Sequence, residues 1–112
     1  MTAYHPLFVY GTLREQTIQQ HVFGRTVEGV PDRLGDYRRT SIRINRTVYP
    51  AAVPKTGQTV DGLVLLITEE ELRKADRYET KMYDRLLVKL ASGTEAFIYV
   101  LNPAERAKRQ RK

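Results

Sequence analysis

Val60-Asp61-Gly62-Leu63-Val64-Leu65-Leu66-Ile67 runs straight into Thr68-Glu69-Glu70-Glu71-Leu72-Arg73-Lys74-Ala75-Asp76-Arg77-Tyr78-Glu79, and the reading of this junction decides the fold. The first of these stretches is the most apolar run in the chain. Its length, and the helix signals that follow it directly, predict a strand buried on both faces. Thr68 and Glu71 have the spacing of a capping box, in which each side chain satisfies a free backbone N–H of the other residue. Glu69, Glu70 and Glu71 fill the first helical turn and Arg73, Lys74 and Arg77 the last, complementing the helix dipole at both ends. The narrow apolar face consists of Leu72 and Ala75, and the helical period carries Glu79 onto it. A carboxylate aimed at the core loses hydration and holds its proton more tightly, as a general acid/base near neutral pH requires. Spacing alone also permits a second reading, in which the helix end frays and Glu79 turns back into water.

Beyond Glu79 the pattern returns to period two. Leu86, Val88 and Leu90 face one way, and Arg85, Leu87 and Lys89 the other. Ala91-Ser92-Gly93-Thr94 reads as a hairpin turn, and Ala96 to Leu101 as the return strand, stopped by Asn102-Pro103. Towards the N-terminus, Leu7-Phe8-Val9-Tyr10 is a short strand that starts after Pro6 and ends at Gly11. Residues 15–23 form one or two helical turns with Ile18 and Val22 on one side. Residues 25–53 read as extended structure broken at Pro31-Asp32 and Gly35-Asp36. Within them Ile42 and Ile44 alternate about Arg43, and Tyr49-Pro50-Ala51-Ala52-Val53 is an edge or bent strand because of Pro50. Thr56-Gly57-Gln58 reads as a turn. The expected architecture is α+β: about six strands in a small mixed, mostly antiparallel β-barrel, with one firm and one short helix outside it.

Residues 1–103 read as a single domain and 104–112 as a basic tail. The tail holds Arg106, Lys108, Arg109, Arg111 and Lys112 against Glu105, a net of +4 that leaves +2 of the total +6 for the domain. With few apolar groups to pack, it is expected to be disordered and solvated, and at most weakly attracted to nucleic acid or an acidic surface. There are no cysteines, which rules out disulfides, thiolate metal sites and cysteine nucleophiles and fits a cytoplasmic location. No apolar run approaches the length of a membrane span, and the N-terminus lacks signal-peptide character. Asn45-Arg46-Thr47 matches a glycosylation acceptor only as a short pattern.

Few chemistries remain. His5 and His21 have no carboxylate at ligand spacing, so no metal is expected. Ser41 and Ser92 lack a nucleophile-elbow context, and Gly11 belongs to no nucleotide-binding glycine pattern. What is left is a carboxylate, Glu79, and a strand–glycine–helix junction at Gly11. Such junctions gather free N–H groups that can cradle an anion or a carbonyl oxygen, although many are plain turns.

Phe8-Val9-Tyr10-Gly11-Thr12-Leu13-Arg14 closely resembles the N-terminal substrate loop of the γ-glutamylcyclotransferase-like proteins, whose branches include the AIG2-like proteins and the γ-glutamylamine cyclotransferases. Asp76-x-Tyr78-Glu79-x-x-x-Tyr83-x-Arg85 is similar to the family segment that carries the catalytic acid/base, and Tyr49 to Val53 to a short segment between the two. The resemblance runs from about residue 7 to 101. It implies that Glu79 is the catalytic acid/base and that the N–H groups of Gly11, Thr12 and Leu13 hold substrate oxygens. It makes Tyr10, Tyr83 and Arg85 candidates for lining or bracing the pocket. The implied reaction cyclises a small-molecule γ-glutamyl amine or γ-glutamyl amino acid to 5-oxoproline without a cofactor, in a monomer or homodimer. Thr80 stands where many members have glycine, which bears on substrate identity. The competing expectation is a non-catalytic binding module on the same fold, its basic tail contacting nucleic acid or an acidic partner.

Overall fold

The capping box forms. In the computed structural model, which describes residues 3–44, 46–79 and 82–105, Glu71 N–H donates to Thr68 Oγ1 at 3.2 Å and Thr68 N–H donates to Glu71 Oε1 at 2.9 Å. Strand β3 (Thr47–Thr68) therefore passes without a loop into helix α2 (Glu69–Glu79). Arg25 completes the junction, donating from Nε and Nη2 to the buried Glu71 carboxylate at 2.6 and 2.8 Å. That guanidinium, together with the Thr68 bonds, holds the Glu71 carboxyl below the usual carboxylate range. Glu71→Ala loses both the cap and the ion pair and is expected to cost about 2–3 kcal/mol at pH 7. Because the folded-state pKa is depressed, this stabilisation is present above the ordinary carboxylate range. It is lost as pH falls through the lowered folded value. Denaturation curves of wild type and variant should therefore converge in acid.

The other elements are β1 (Tyr4–Val9), a 3-10 turn (Thr12–Arg14), α1 (Gln16–Phe23), β2 (Val30–Ile44), β4 (Tyr83–Lys89) and β5 (Glu95–Leu101). They build one sheet in the order β2-β3-β1-β5-β4. β1 pairs in parallel with β5, and the other neighbours are antiparallel. One face carries Leu7, Val9, Leu65, Ile67 and Tyr99 and packs on Val22 and Phe23 of α1 and Leu72 and Ala75 of α2. The opposite face curls on itself around Phe8, Tyr10, Leu34, Val60, Val64, Ile98 and Val100. The result is a mixed α+β half-barrel with its helices outside. At one end the turn after β4 reaches the far edge strand, where Ala91 N–H donates to the Arg33 carbonyl and the Ser92 hydroxyl to Asp32, at 2.8 and 2.5 Å.

The sheet has five strands where about six were expected, because the chain interruptions are bulges and not reversals. Thr56-Gly57-Gln58 lies inside β3, opposite a register shift at Asp36. There Asp36 takes a positive φ of 62°, Gly57 one of 84°, and the Asp36 carboxylate accepts the Gly57 N–H at 3.0 Å. Beyond this bulge β2 and β3 continue as a two-stranded ribbon. Pro50 sits where an edge residue belongs: the neighbouring in-phase residue, Ala52, directs its N–H away from β2, so proline omits no ladder bond. β1 begins earlier than expected and contains Pro6, paired with Leu66. Leu66 is 53% exposed, so the apolar run is not buried along its whole length on both faces. From residue 106 the basic tail lies outside the described residues, as do Asn45 and Thr80.

Candidate active site

β1 delivers the chain to Gly11 at one end of the sheet, and the 3-10 turn follows immediately. Arg14 N–H closes the turn on the Gly11 carbonyl at 3.1 Å and Glu15 N–H closes on Thr12 O at 2.9 Å. Among the described residues, the preceding N–H groups of Gly11, Thr12 and Leu13 take no acceptor. Glycine is required at the first position by proximity, since a Cβ there would meet Pro50 Cγ at 2.7 Å.

These residues form one wall of a cavity of about 320 Å³. Tyr49 and Pro50 of the ribbon form a second wall, Tyr78 and Glu79 at the end of α2 a third, and Met82, Tyr83 and Tyr99 complete the enclosure. Glu79 follows Leu72 and Ala75 inward, as the helical period requires. Burial alone pushes its carboxyl up to about 7. Among the described residues it has neither a hydrogen bond nor an ion pair. Its surroundings are phenolic: Tyr10, Tyr83 and Tyr99 all feel its charge. Burial first, and Glu79 next, pushes Tyr83 up to about 12, and Tyr10 is raised for the same reasons in the same order. All three phenols therefore stay neutral through the physiological range.

The tyrosine hydroxyls brace the walls. Tyr10 donates to the Tyr99 carbonyl at 2.6 Å and accepts Ala52 N–H at 3.0 Å. Tyr83 donates to the Pro50 carbonyl at 2.8 Å. The hydroxyls of Tyr78 and Thr12 bond at 2.7 Å, and Tyr99 donates to Asp76 at 2.6 Å.

The family model of γ-glutamyl cyclotransferases of the AIG2-like type matches residues 7–112. The chain belongs to that family. AIG2-like protein D of Arabidopsis thaliana is 35% identical over 82 residues, 72% of this chain and 53% of the relative. The chain thus spans about half the length of the curated relatives it matches. The solution structure of another Arabidopsis thaliana protein superposes with a TM-score of 0.78 at 25% identity, covering 95% of this chain and 69% of that one. A structure described as a gamma-glutamyl cyclotransferase shares the fold, with a TM-score of 0.69 at 19% identity over 88% of this chain and 67% of that one.

In this AIG2-like chain, Tyr10, Gly11, Thr12, Leu13, Glu79 and Tyr83 meet at one cavity. Arg85 does not join them. It stands on β4 outside the cavity, with Nη1 at 3.1 Å from Asp76 Oδ2 and its guanidinium 5.0 Å from the Phe97 ring centroid. Tyr49, Pro50, Tyr78, Met82 and Tyr99 line the cavity in addition to the residues expected from the sequence. Tyr78 adjoins Glu79, and Tyr49-Pro50 belongs to the third resembling segment, so both carried a signal. Tyr99 carried only its strand alternation with Phe97. Among the described residues no three His, Asp or Glu side chains are grouped to hold a metal ion, and no helix is long and apolar enough to cross a membrane.

Proposed function

We propose that this chain is a γ-glutamyl cyclotransferase that converts a γ-glutamyl compound to 5-oxoproline and a free amine. The observation that carries the reading is the Glu79 carboxyl, unpaired among the described residues, which lines the same aromatic cavity as Gly11, Thr12 and Leu13. A γ-glutamyl compound carries its own nucleophile, the α-amine, and its own electrophile, the γ-amide carbonyl. The two groups belong to one molecule, and a small cavity that folds that molecule back on itself orients them for attack, where effective molarity is very high.

Glu79, ionised, takes a proton from the α-ammonium. The freed amine attacks the γ-carbonyl carbon, forming the ring C–N bond and placing negative charge on the carbonyl oxygen. Backbone N–H groups of the Gly11 turn are suited to that oxygen or to the α-carboxylate. Collapse breaks the original amide C–N bond as Glu79 returns its first proton to the departing nitrogen, and the second proton, shed by the ring nitrogen as it becomes the lactam N–H, passes through the same carboxylate to the released amine. A carboxyl with a pKa near neutrality suits both halves of this cycle.

The test is release of 5-oxoproline from a panel of γ-glutamyl amines and γ-glutamyl dipeptides. At least one member should be turned over with stoichiometric 5-oxoproline and amine. Release of glutamate in place of 5-oxoproline, or no turnover across the panel, overturns the proposal.

A further inference from the structure

Glu79 makes no bond of its own among the described residues, so its position depends on how the end of α2 is seated. Two side-chain attachments precede it on the helix. Tyr78 is held to Thr12 at 2.7 Å. Asp76, one helical turn earlier, uses both carboxylate oxygens: Oδ1 accepts the Tyr99 hydroxyl at 2.6 Å, and Oδ2 meets Arg85 Nη1 at 3.1 Å. Arg85 and Tyr99 are directly opposite across the β4–β5 ladder. One carboxylate on the helix thus bridges an adjacent pair on the sheet. Phe97, two residues from Tyr99 on the same strand face, lies under the guanidinium.

We propose that Asp76 and Arg85 form a positioning unit that holds the end of α2 on the sheet and balances the charge beside Glu79. This builds on the proposed role of Glu79, but it is a statement about the carboxyl itself. Residues three apart on a helix have side chains about 5–6 Å apart at Cβ, so an uncompensated Asp76 carboxylate would oppose ionisation of Glu79. Arg85 cancels that field. Among the described residues, the titratable groups that line the cavity with Glu79 from the other elements are the phenols Tyr10 after β1, Tyr49 on β3, Tyr83 on β4 and Tyr99 on β5. The cations acting on them are Arg39 at Tyr10 and Arg85 at Tyr99. On this assignment Arg85 is not a substrate ligand; it acts through Asp76.

The experiment follows the Glu79 side-chain carboxyl by carbon NMR on glutamate-labelled protein, so it needs no turnover. In Arg85→Gln the Glu79 titration should move up in pH by about one unit, the size expected of a single charge at this separation in a partly screened site. In Asp76→Asn, which leaves Arg85 unopposed, it should move down. The double variant, which removes both charges and keeps both amide hydrogen-bonding groups, should titrate within a few tenths of a unit of wild type. Equal midpoints in all four folded proteins overturn the proposal. If one single variant fails to fold, the other decides: a Glu79 midpoint in it equal to that of wild type overturns the proposal too. A separate kinetic arm distinguishes a substrate ligand. A rise in KM for Arg85→Gln with an unmoved titration would return Arg85 to the binding site, whereas an inactive wild type with the expected titrations would refute only the cyclotransferase reading.

Discussion

Glu79→Gln is expected to reduce turnover by roughly 10²–10⁴-fold, the usual contribution of a positioned proton-transfer group. Glutamine keeps the shape of the side chain but cannot cycle a proton. Substrate affinity should change little if the Gly11 turn holds the ligand. Glu79→Asp is the informative companion, since it keeps the carboxyl but withdraws it by one methylene and so tests position alone. With the carboxyl pushed up to about 7 by burial, wild-type kcat/KM should rise with pH around neutrality. Stability should move the opposite way. The folded-state pKa lies above the unfolded one, so ionisation of the unfolded chain weakens folding progressively from about pH 4.3 to 7. Glu79→Gln removes that penalty and should stabilise the protein by about 1–3 kcal/mol above pH 7, with no difference below pH 4. A glutamine variant with wild-type turnover would make Glu79 a helix-end residue and nothing more.

Tyr10→Phe should have the largest effect on stability of any single-atom deletion at the site. The hydroxyl donates to Tyr99 O and accepts from Ala52 N–H, and Tyr10 is only 6% exposed. Phenylalanine leaves both backbone groups buried without partners, at about 1–3 kcal/mol each. A combined loss of about 2–5 kcal/mol is expected, read as a fall in denaturation midpoint. The ring remains, so the cavity wall is retained, and activity below the new melting temperature should fall less than in Glu79→Gln. A change under 0.5 kcal/mol would mean that the ribbon is held by other contacts.

How far the sequence exposed these features differs from residue to residue. The Thr68–Glu71 box, the inward period of Leu72, Ala75 and Glu79, and the hairpin at 91–94 were all legible, because each is a local pattern with one low-energy realisation. The long ribbon was not. Thr56-Gly57-Gln58 has turn composition, and only the pairing of its flanks with β2 shows that the chain continues in the same direction. The partners of Arg85 were illegible for a related reason. Alternation placed it on the correct face of β4, but its partners, Asp76 and Tyr99, belong to separate elements that only tertiary packing brings together. At Gly11 the sequence suggests a tight turn and a close approach but not what approaches. The structure shows the approach to be that of Pro50, a contact between segments with no local sequence signature.

The parallel pairing of β1 with β5 has a kinetic consequence. The hydroxyl of residue 10 closes on the carbonyl of residue 99, a separation of 89 positions, and β1 lies between β3 and β5 in the sheet. During synthesis the first strand waits, with one edge open, for a partner made almost a whole domain later. Contacts this distant along the chain slow the search for the native state, while an unpaired apolar edge invites association with other chains. The cavity has no wall at Tyr99 until β5 docks, so a refolding chain regains helix and hairpin signals before it can regain a binding site.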